Sequence, residues 1–168
     1  SRKGGMVIGI CGGYQMLGRT VSDPNQVEAA GVTKIAGMDL LPMDTVFHGE
    51  KVQTQTSGTF SDIEGMLASL NGIHYEGYEI HMGRSEESLN PVTGNGNVYG
   101  SYIHGIFDAP GVADTVLKAL CQQKGIDFDA LGTFDMKAYK EQQYDKLADA
   151  VRERLDMELV YKSLNRGV

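Results

Sequence analysis

The sequence is poor in cysteine, in basic charge and in long apolar runs. Its two cysteines, Cys11 and Cys121, cannot build a disulfide framework, and nothing at the start resembles a secretory signal. A reducing, cytoplasmic setting is the default expectation. No apolar run approaches the ~20 residues that span a bilayer, so no membrane partner is expected. Fifteen Lys and Arg stand against 22 Asp and Glu, a net charge of −7. An acidic chain without a basic cluster is a poor candidate for gripping a phosphate backbone, so no nucleic-acid partner is expected. What remains is an ordinary globular composition. The 168 residues are 41 % hydrophobic and 22 % charged, enough for one domain with a core. Glycine is in excess, and several glycines cluster where chemistry is expected.

After a short lead the chain enters Met6-Val7-Ile8-Gly9-Ile10. This continuous apolar run reads as a strand buried on both faces, in the middle of a parallel sheet. Almost nothing precedes it, so the expectation is the C-terminal part of a longer polypeptide. Cys11 to Gly18 reads as a turn into a short helix that Gly18 ends. Thr20 to Gly37 reads as a loop with a little helix. After Leu40 to Phe47, Lys51 to Gly58 alternates and is Thr-rich, like a half-exposed strand. Ile73 to Met82 holds another strand, Ser88 to Asn97 is a loop, and Val98 to Ile103 is a strand ending at His104. Pro110 and Gly125 bracket a helix whose apolar face carries Val112, Val116, Leu117, Leu120 and Cys121. A second helix carries Tyr144, Leu147, Ala148, Val151 and Leu155 at helical spacing, with a charged, solvated opposite face. The order predicts an α/β domain with inserted antiparallel elements and no internal linker.

Gly9-Ile10-Cys11-Gly12-Gly13 is the most informative stretch. A nucleophile at a sharp strand-to-helix turn needs small neighbours, which these glycines supply. A helix start lowers a thiol pKa, and the Gly12 amide is aimed where an oxyanion would develop. The alternative is a small buried Cys11 beside glycines that only permit close packing. The stretch lacks the Lys-Ser/Thr ending of a phosphate loop. A thiol needs a base, and there are four histidines: His48, His74, His81 and His104. If the strand before His104 runs parallel to the first, His104 lies at the same sheet edge as Cys11, where ligands of open α/β sheets bind. His81 is second choice, and His48 and His74 are expected to be solvated. No metal-ligand spacing is present, so no metal is expected. Cys121, on a helical apolar stripe, is expected to be structural.

Three stretches carry a resemblance: Gly9-Ile10-Cys11-Gly12-Gly13-Tyr14-Gln15-Met16-Leu17-Gly18, Gly77-Tyr78-Glu79-Ile80-His81-Met82-Gly83-Arg84, and Gly100-Ser101-Tyr102-Ile103-His104-Gly105-Ile106-Phe107-Asp108. The first resembles the nucleophile segment of class I glutamine amidotransferases. Together, with the tail from Tyr144 to Met157, they resemble the cobyric acid synthase family, which amidates corrin carboxylates in cobalamin synthesis. The resemblance implies a flavodoxin-like three-layer sandwich with a mostly parallel central sheet. It implies a single amidotransferase domain over 1–168, truncated on its N-terminal side, with the family's ATP-dependent synthetase domain absent.

By matching position, the resemblance makes Cys11 the nucleophile on glutamine, His104 its base and Gly12 an oxyanion donor. Gln15 matches a residue that holds substrate, and His81 and Met82 match main chain lining the glutamine pocket. Glu79 is placed near the substrate α-ammonium. L-glutamine is the implied substrate. No cofactor is implied for this part, and ATP and Mg2+ are implied for the whole enzyme. The implied partners are the synthetase domain of the same polypeptide and, through it, adenosylcobyrinic acid a,c-diamide. One departure stands out: the wider class has a Glu two residues after the histidine, where this chain has Ile106. Two other readings remain: an amidotransferase serving another ligase, such as one amidating a cell-wall precursor, or an idle docking module. An activated Cys11 would alkylate far more readily than Cys121. An exposed edge on the first strand would favour concentration-dependent association.

Overall fold

The structure is a computed structural model describing residues 5–85, 90–129 and 135–165. The chain divides into two compact units, Ser1–Gly132 and Thr133–Val168, and each is described by itself. The boundary falls within 130–134, outside the described residues.

The first unit runs β1 (Val7–Ile10), α1 (Gly12–Leu17), β2 (Thr20–Ser22), β3 (Lys34–Ala36), β4 (Asp44–Thr59), a 3-10 turn (Gly65–Leu70), β5 (His74–Ser85), β6 (Thr93–Asn95), β7 (Val98–Ser101) and α2 (Val112–Lys124). One sheet has the order β1-β7-β6 and the other β3-β2-β4-β5. β1 runs parallel to β7 and β2 parallel to β4, while the remaining pairs are antiparallel. The α/β class stands, with mixed sheets, consistent with a flavodoxin-like fold. An isolated bridge between Tyr78 and His104 connects the two sheets.

Among the described strands, β7 is buried on both faces. Val98 to Ser101 are all buried. Tyr99 and Ile103 face one cluster with Phe60, Leu67, Leu70 and Val112. Val98 and Tyr102 face a second cluster with Tyr14, Leu17 and Met43. That is the period-2 alternation of extended chain. Each large side chain so buried contributes about 1.5–3 kcal/mol. Among the described residues β1 pairs with β7 alone, and Val7, Ile8 and Ile10 are half-buried.

Other local expectations change for identifiable reasons. Thr20 to Gly37 holds two short strands and no helix. The Asp23 carboxylate accepts the amides of Val27, Glu28 and Ala29 at 2.9, 2.9 and 3.0 Å, which holds the connection as a turn. The half-exposed strand expected over Lys51 to Gly58 starts earlier, at Asp44, as part of β4, with an irregularity between Phe47 and Val52. Within the loop expected over 88–97, residues 88–89 lie outside the described ones, and Thr93–Asn95 forms β6 against β7. α2 ends at Gly125, which takes the left-handed conformation at φ 65°. Leu117 faces solvent, and Ala119 joins Val112, Val116 and Cys121 on the buried side.

The second unit has α3 (Met136–Arg154) and α4 (Met157–Asn165). Asp135 caps α3 by accepting the Ala138 amide at 3.0 Å. The stripe of Tyr144, Leu147, Val151 and Leu155 has helical spacing but is exposed. Among the described residues no helix is long and apolar enough to cross a membrane.

Candidate active site

The site starts from the end of β1. The Cys11 amide donates to the Ser101 carbonyl at 2.8 Å, continuing the parallel ladder one residue past Ile10. The chain then turns sharply: Cys11 has φ 51° and ψ −111°, a strained conformation for a side chain that is not glycine. This is the geometry of a nucleophile elbow. Gly9 is what admits it, because a Cβ there would lie 2.6 Å from the Gly13 carbonyl oxygen. Gly12 and Gly13 border open space, so their expected spacing role is not needed. Tyr14 packs under the turn, edge-on to Tyr102 with ring centroids 5.0 Å apart.

The Cys11 thiol is half-buried and donates to the Ile80 carbonyl with Sγ 3.7 Å away. Burial pushes its pKa up, and the Gly12 amide offsets only part of that. The expected lowering by the helix start is therefore outweighed. α1 is only six residues long, so few peptide dipoles align behind the thiol. At rest the thiol keeps its proton.

His104 lies just past the end of β7, at the same sheet edge as Cys11. Ser101 shapes the approach: its hydroxyl donates to the Pro91 carbonyl at 2.6 Å and accepts the Ile103 amide at 3.0 Å. Tyr78 and His104 exchange both backbone hydrogen bonds, at 3.1 and 2.8 Å. Their rings stack with centroids 5.1 Å apart and planes 8° from parallel. His104 opens on a cleft of about 460 Å³ that Gln55, Thr56, Glu76, Tyr78 and Asp108 also line. Ile106 is buried in the core. Asp108 lies in a turn, its amide donating to the Gly105 carbonyl at 2.8 Å, and α2 starts later, at Val112.

β5 gathers these pieces. Its Ile80 carbonyl meets Cys11 and its Tyr78 meets His104, two residues or about 7 Å apart along a strand. The carboxylate of the intervening Glu79 lies 3.0 Å from His81 Nε2. His81 is buried, its Nδ1 is 2.7 Å from the Gly83 carbonyl, and its ring stacks on Tyr102 at 3.8 Å. With both nitrogens engaged, His81 is a scaffold group and not an available base. Met82 is half-buried beside it.

Gln15 is buried against Gly83 and hydrogen-bonds to the Tyr102 hydroxyl. Tyr102 Oη also pairs with Ser85 Oγ at 2.8 Å, and Ser85 with Thr45 Oγ1 at 2.8 Å. Burial pushes the Tyr102 pKa up, against hydrogen bonds from Ser85, Gln15 and Thr45, and the neighbouring Cys11 pushes it further. Tyr78, Tyr102, Ser85 and Thr45 carry no expectation in the sequence. The signal available was the alternation of β5, which sends Tyr78 and His81 to opposite faces. His48 and His74 are exposed, though on strands, and Cys121 is buried and free. Among the described residues no three His, Cys, Asp or Glu side chains converge as metal ligands.

A thiol elbow and a histidine at one edge of an α/β sheet are the architecture of the class I glutamine amidotransferases. The comparisons narrow this. Residues 1–112 match the CobB/CobQ-like glutamine amidotransferase domain. The chain is 48 % identical to cobyric acid synthase of Lachnoclostridium phytofermentans, over 97 % of this chain and 36 % of that protein. It is 45 % identical to cobyric acid synthase of Ruminiclostridium cellulolyticum, over 96 % of this chain and 35 % of that protein. For the Parabacteroides distasonis cobyric acid synthase the identity is 40 %, over 97 % and 34 %. The chain belongs to the CobB/CobQ-like glutamine amidotransferase domain family. It spans about a third of the length of these curated relatives.

Proposed function

We propose that this chain hydrolyses L-glutamine and delivers the ammonia for corrin amidation in cobyric acid synthesis. The single observation that carries the mechanism is β5, whose Tyr78–Ile80 stretch meets both Cys11 and His104. His104 takes the Cys11 proton, and the thiolate attacks the side-chain amide carbon of glutamine. The Gly12 amide, already directed at Sγ, donates to the oxyanion. The carbon–nitrogen bond then breaks, His104 returns its proton to the departing nitrogen, and ammonia leaves a glutamyl thioester. Water, deprotonated by His104, hydrolyses the thioester to glutamate and restores the thiol.

Gln15, Glu79 and the His81–Met82 main chain form the substrate-holding wall. Glu79 and Tyr102 also line a cavity of about 140 Å³ together with Tyr14 and Ile103. The receiving centre is an ATP- and Mg2+-dependent synthetase domain of the same polypeptide, acting on adenosylcobyrinic acid a,c-diamide. The residues described here do not fit the nucleotide or its metal: the Gly-rich turn continues as Tyr14-Gln15, and no acidic ligand set converges. No step above runs through them. Glutamate release from glutamine tests the reading. Cys11→Ala is expected to reduce it by at least about 10³-fold, and a Cys11→Ala protein with wild-type rates would overturn the mechanism.

A further inference from the structure

We propose that Tyr78 is the positioning residue of His104, holding the base by ring stacking in place of a hydrogen-bonded carboxylate. The inference rests on the glutaminase reading above and deepens it. Among the described residues, no hydrogen bond or ion pair to either ring nitrogen of His104 is present, and its one ring contact is Tyr78. The rings are 8° from parallel with centroids 5.1 Å apart. That is within the range of offset stacking.

The backbone dictates the arrangement. Two residues that exchange both amide hydrogen bonds stand directly opposite each other, and their side chains project to the same face. Tyr78 and His104 are such a pair. Gly77 admits the close approach, since a Cβ there would collide with the His104 carbonyl and the Ile103 side chain. Tyr78 is 46 % exposed, so its ring is not held there by core burial. Ring stacking limits rotation of the imidazole while leaving both nitrogens available. Each cycle needs this, because the same ring accepts the thiol proton, gives it to nitrogen, and then serves water.

The test compares Tyr78→Phe, Tyr78→Leu and Tyr78→Ala in the full-length protein. Glutamine turnover, thermal melts and the ring-proton resonances of His104 are followed. Tyr78→Phe keeps the stack and is expected within about 2-fold of wild-type kcat. Tyr78→Leu and Tyr78→Ala lose it and are expected to lower kcat about 3- to 10-fold, the span of one aromatic pair. KM should change less than about 2-fold, because no substrate contact is removed. In both variants the His104 ring protons should move downfield as the Tyr78 ring current disappears, with melting unchanged. Wild-type kcat in Tyr78→Leu, a Phe variant as impaired as Ala, or a rise in KM alone would overturn the role of Tyr78. His104 resonances unmoved by Tyr78→Leu would overturn the stack itself. A wild-type protein that releases no glutamate contradicts the glutaminase reading instead, which separates the two failures.

Discussion

His81 and His104 each stack on a tyrosine, and the two pairs are built in opposite senses. His81 lies on β5 and stacks on Tyr102, past the end of β7. His104 lies past β7 and stacks on Tyr78 of β5. The first pair is buried, and the Glu79 carboxylate and Gly83 carbonyl engage both ring nitrogens of His81. The second pair is half-open, and the His104 ring borders a cleft. The same two residue types thus make a fixed strut in one place and leave an open imidazole in the other. Burial and hydrogen-bond saturation decide which, not the residue type.

The largest expected contrast comes from replacing each histidine. His104→Asn should lower glutamine turnover by at least about 10²-fold with an unchanged melting temperature. His81→Asn should do the reverse. It leaves buried acceptors poorly paired, at a cost of about 1–3 kcal/mol, and melting should fall by about 2–4 °C per kcal/mol. Equal effects on turnover and melting in both variants would erase the distinction.

Next in size is Gly77→Ala, set against Gly12→Ala. The first forces a methyl group into the His104 backbone and should cost about 1–3 kcal/mol. The second adds a methyl group in open space and should stay within about 0.5 kcal/mol. Denaturant titration would distinguish them.

A pH series sharpens the thiol side of the comparison. Burial raises the Cys11 pKa in the folded protein. The reactive thiolate therefore accumulates only as pH climbs above the ordinary thiol value of about 8.5. Alkylation of Cys11 by iodoacetamide should keep rising past that point, while buried Cys121 stays slow until unfolding. A plateau below pH 8 would show that something not seen at the resting site lowers the pKa. The smallest effect expected is for Tyr102→Phe, which removes a hydroxyl shared by Ser85 and Gln15, at about 1 kcal/mol in a thermal melt.

Much of this was legible in the sequence where local pattern and tertiary demand coincide. The Gly-Ile-Cys-Gly-Gly turn after an apolar run marked the elbow, and Gly125 marked the end of α2. His104 was legible as the end of a strand, but its place at the Cys11 edge depended on that strand running parallel to the first, as β7 does to β1. The reciprocal stacks were not, since cross-strand partners depend on register between distant segments. The turn after β2 was hidden for another reason: one carboxylate, Asp23, satisfies amides that a helix would otherwise use. The helical spacing of Tyr144, Leu147, Val151 and Leu155 was read correctly, but periodicity identifies a face and does not say that it is covered.

The central claim is that Cys11 and His104 work together on glutamine. The most direct test is intact-mass labelling with a diazo-ketone analogue of glutamine, with and without excess glutamine, in wild type, Cys11→Ala, Cys121→Ala and His104→Asn. The account predicts one adduct on wild type and on Cys121→Ala, suppressed by glutamine, absent from Cys11→Ala and much slower in His104→Asn. An adduct that persists in Cys11→Ala, or that forms at wild-type speed without His104, would contradict it.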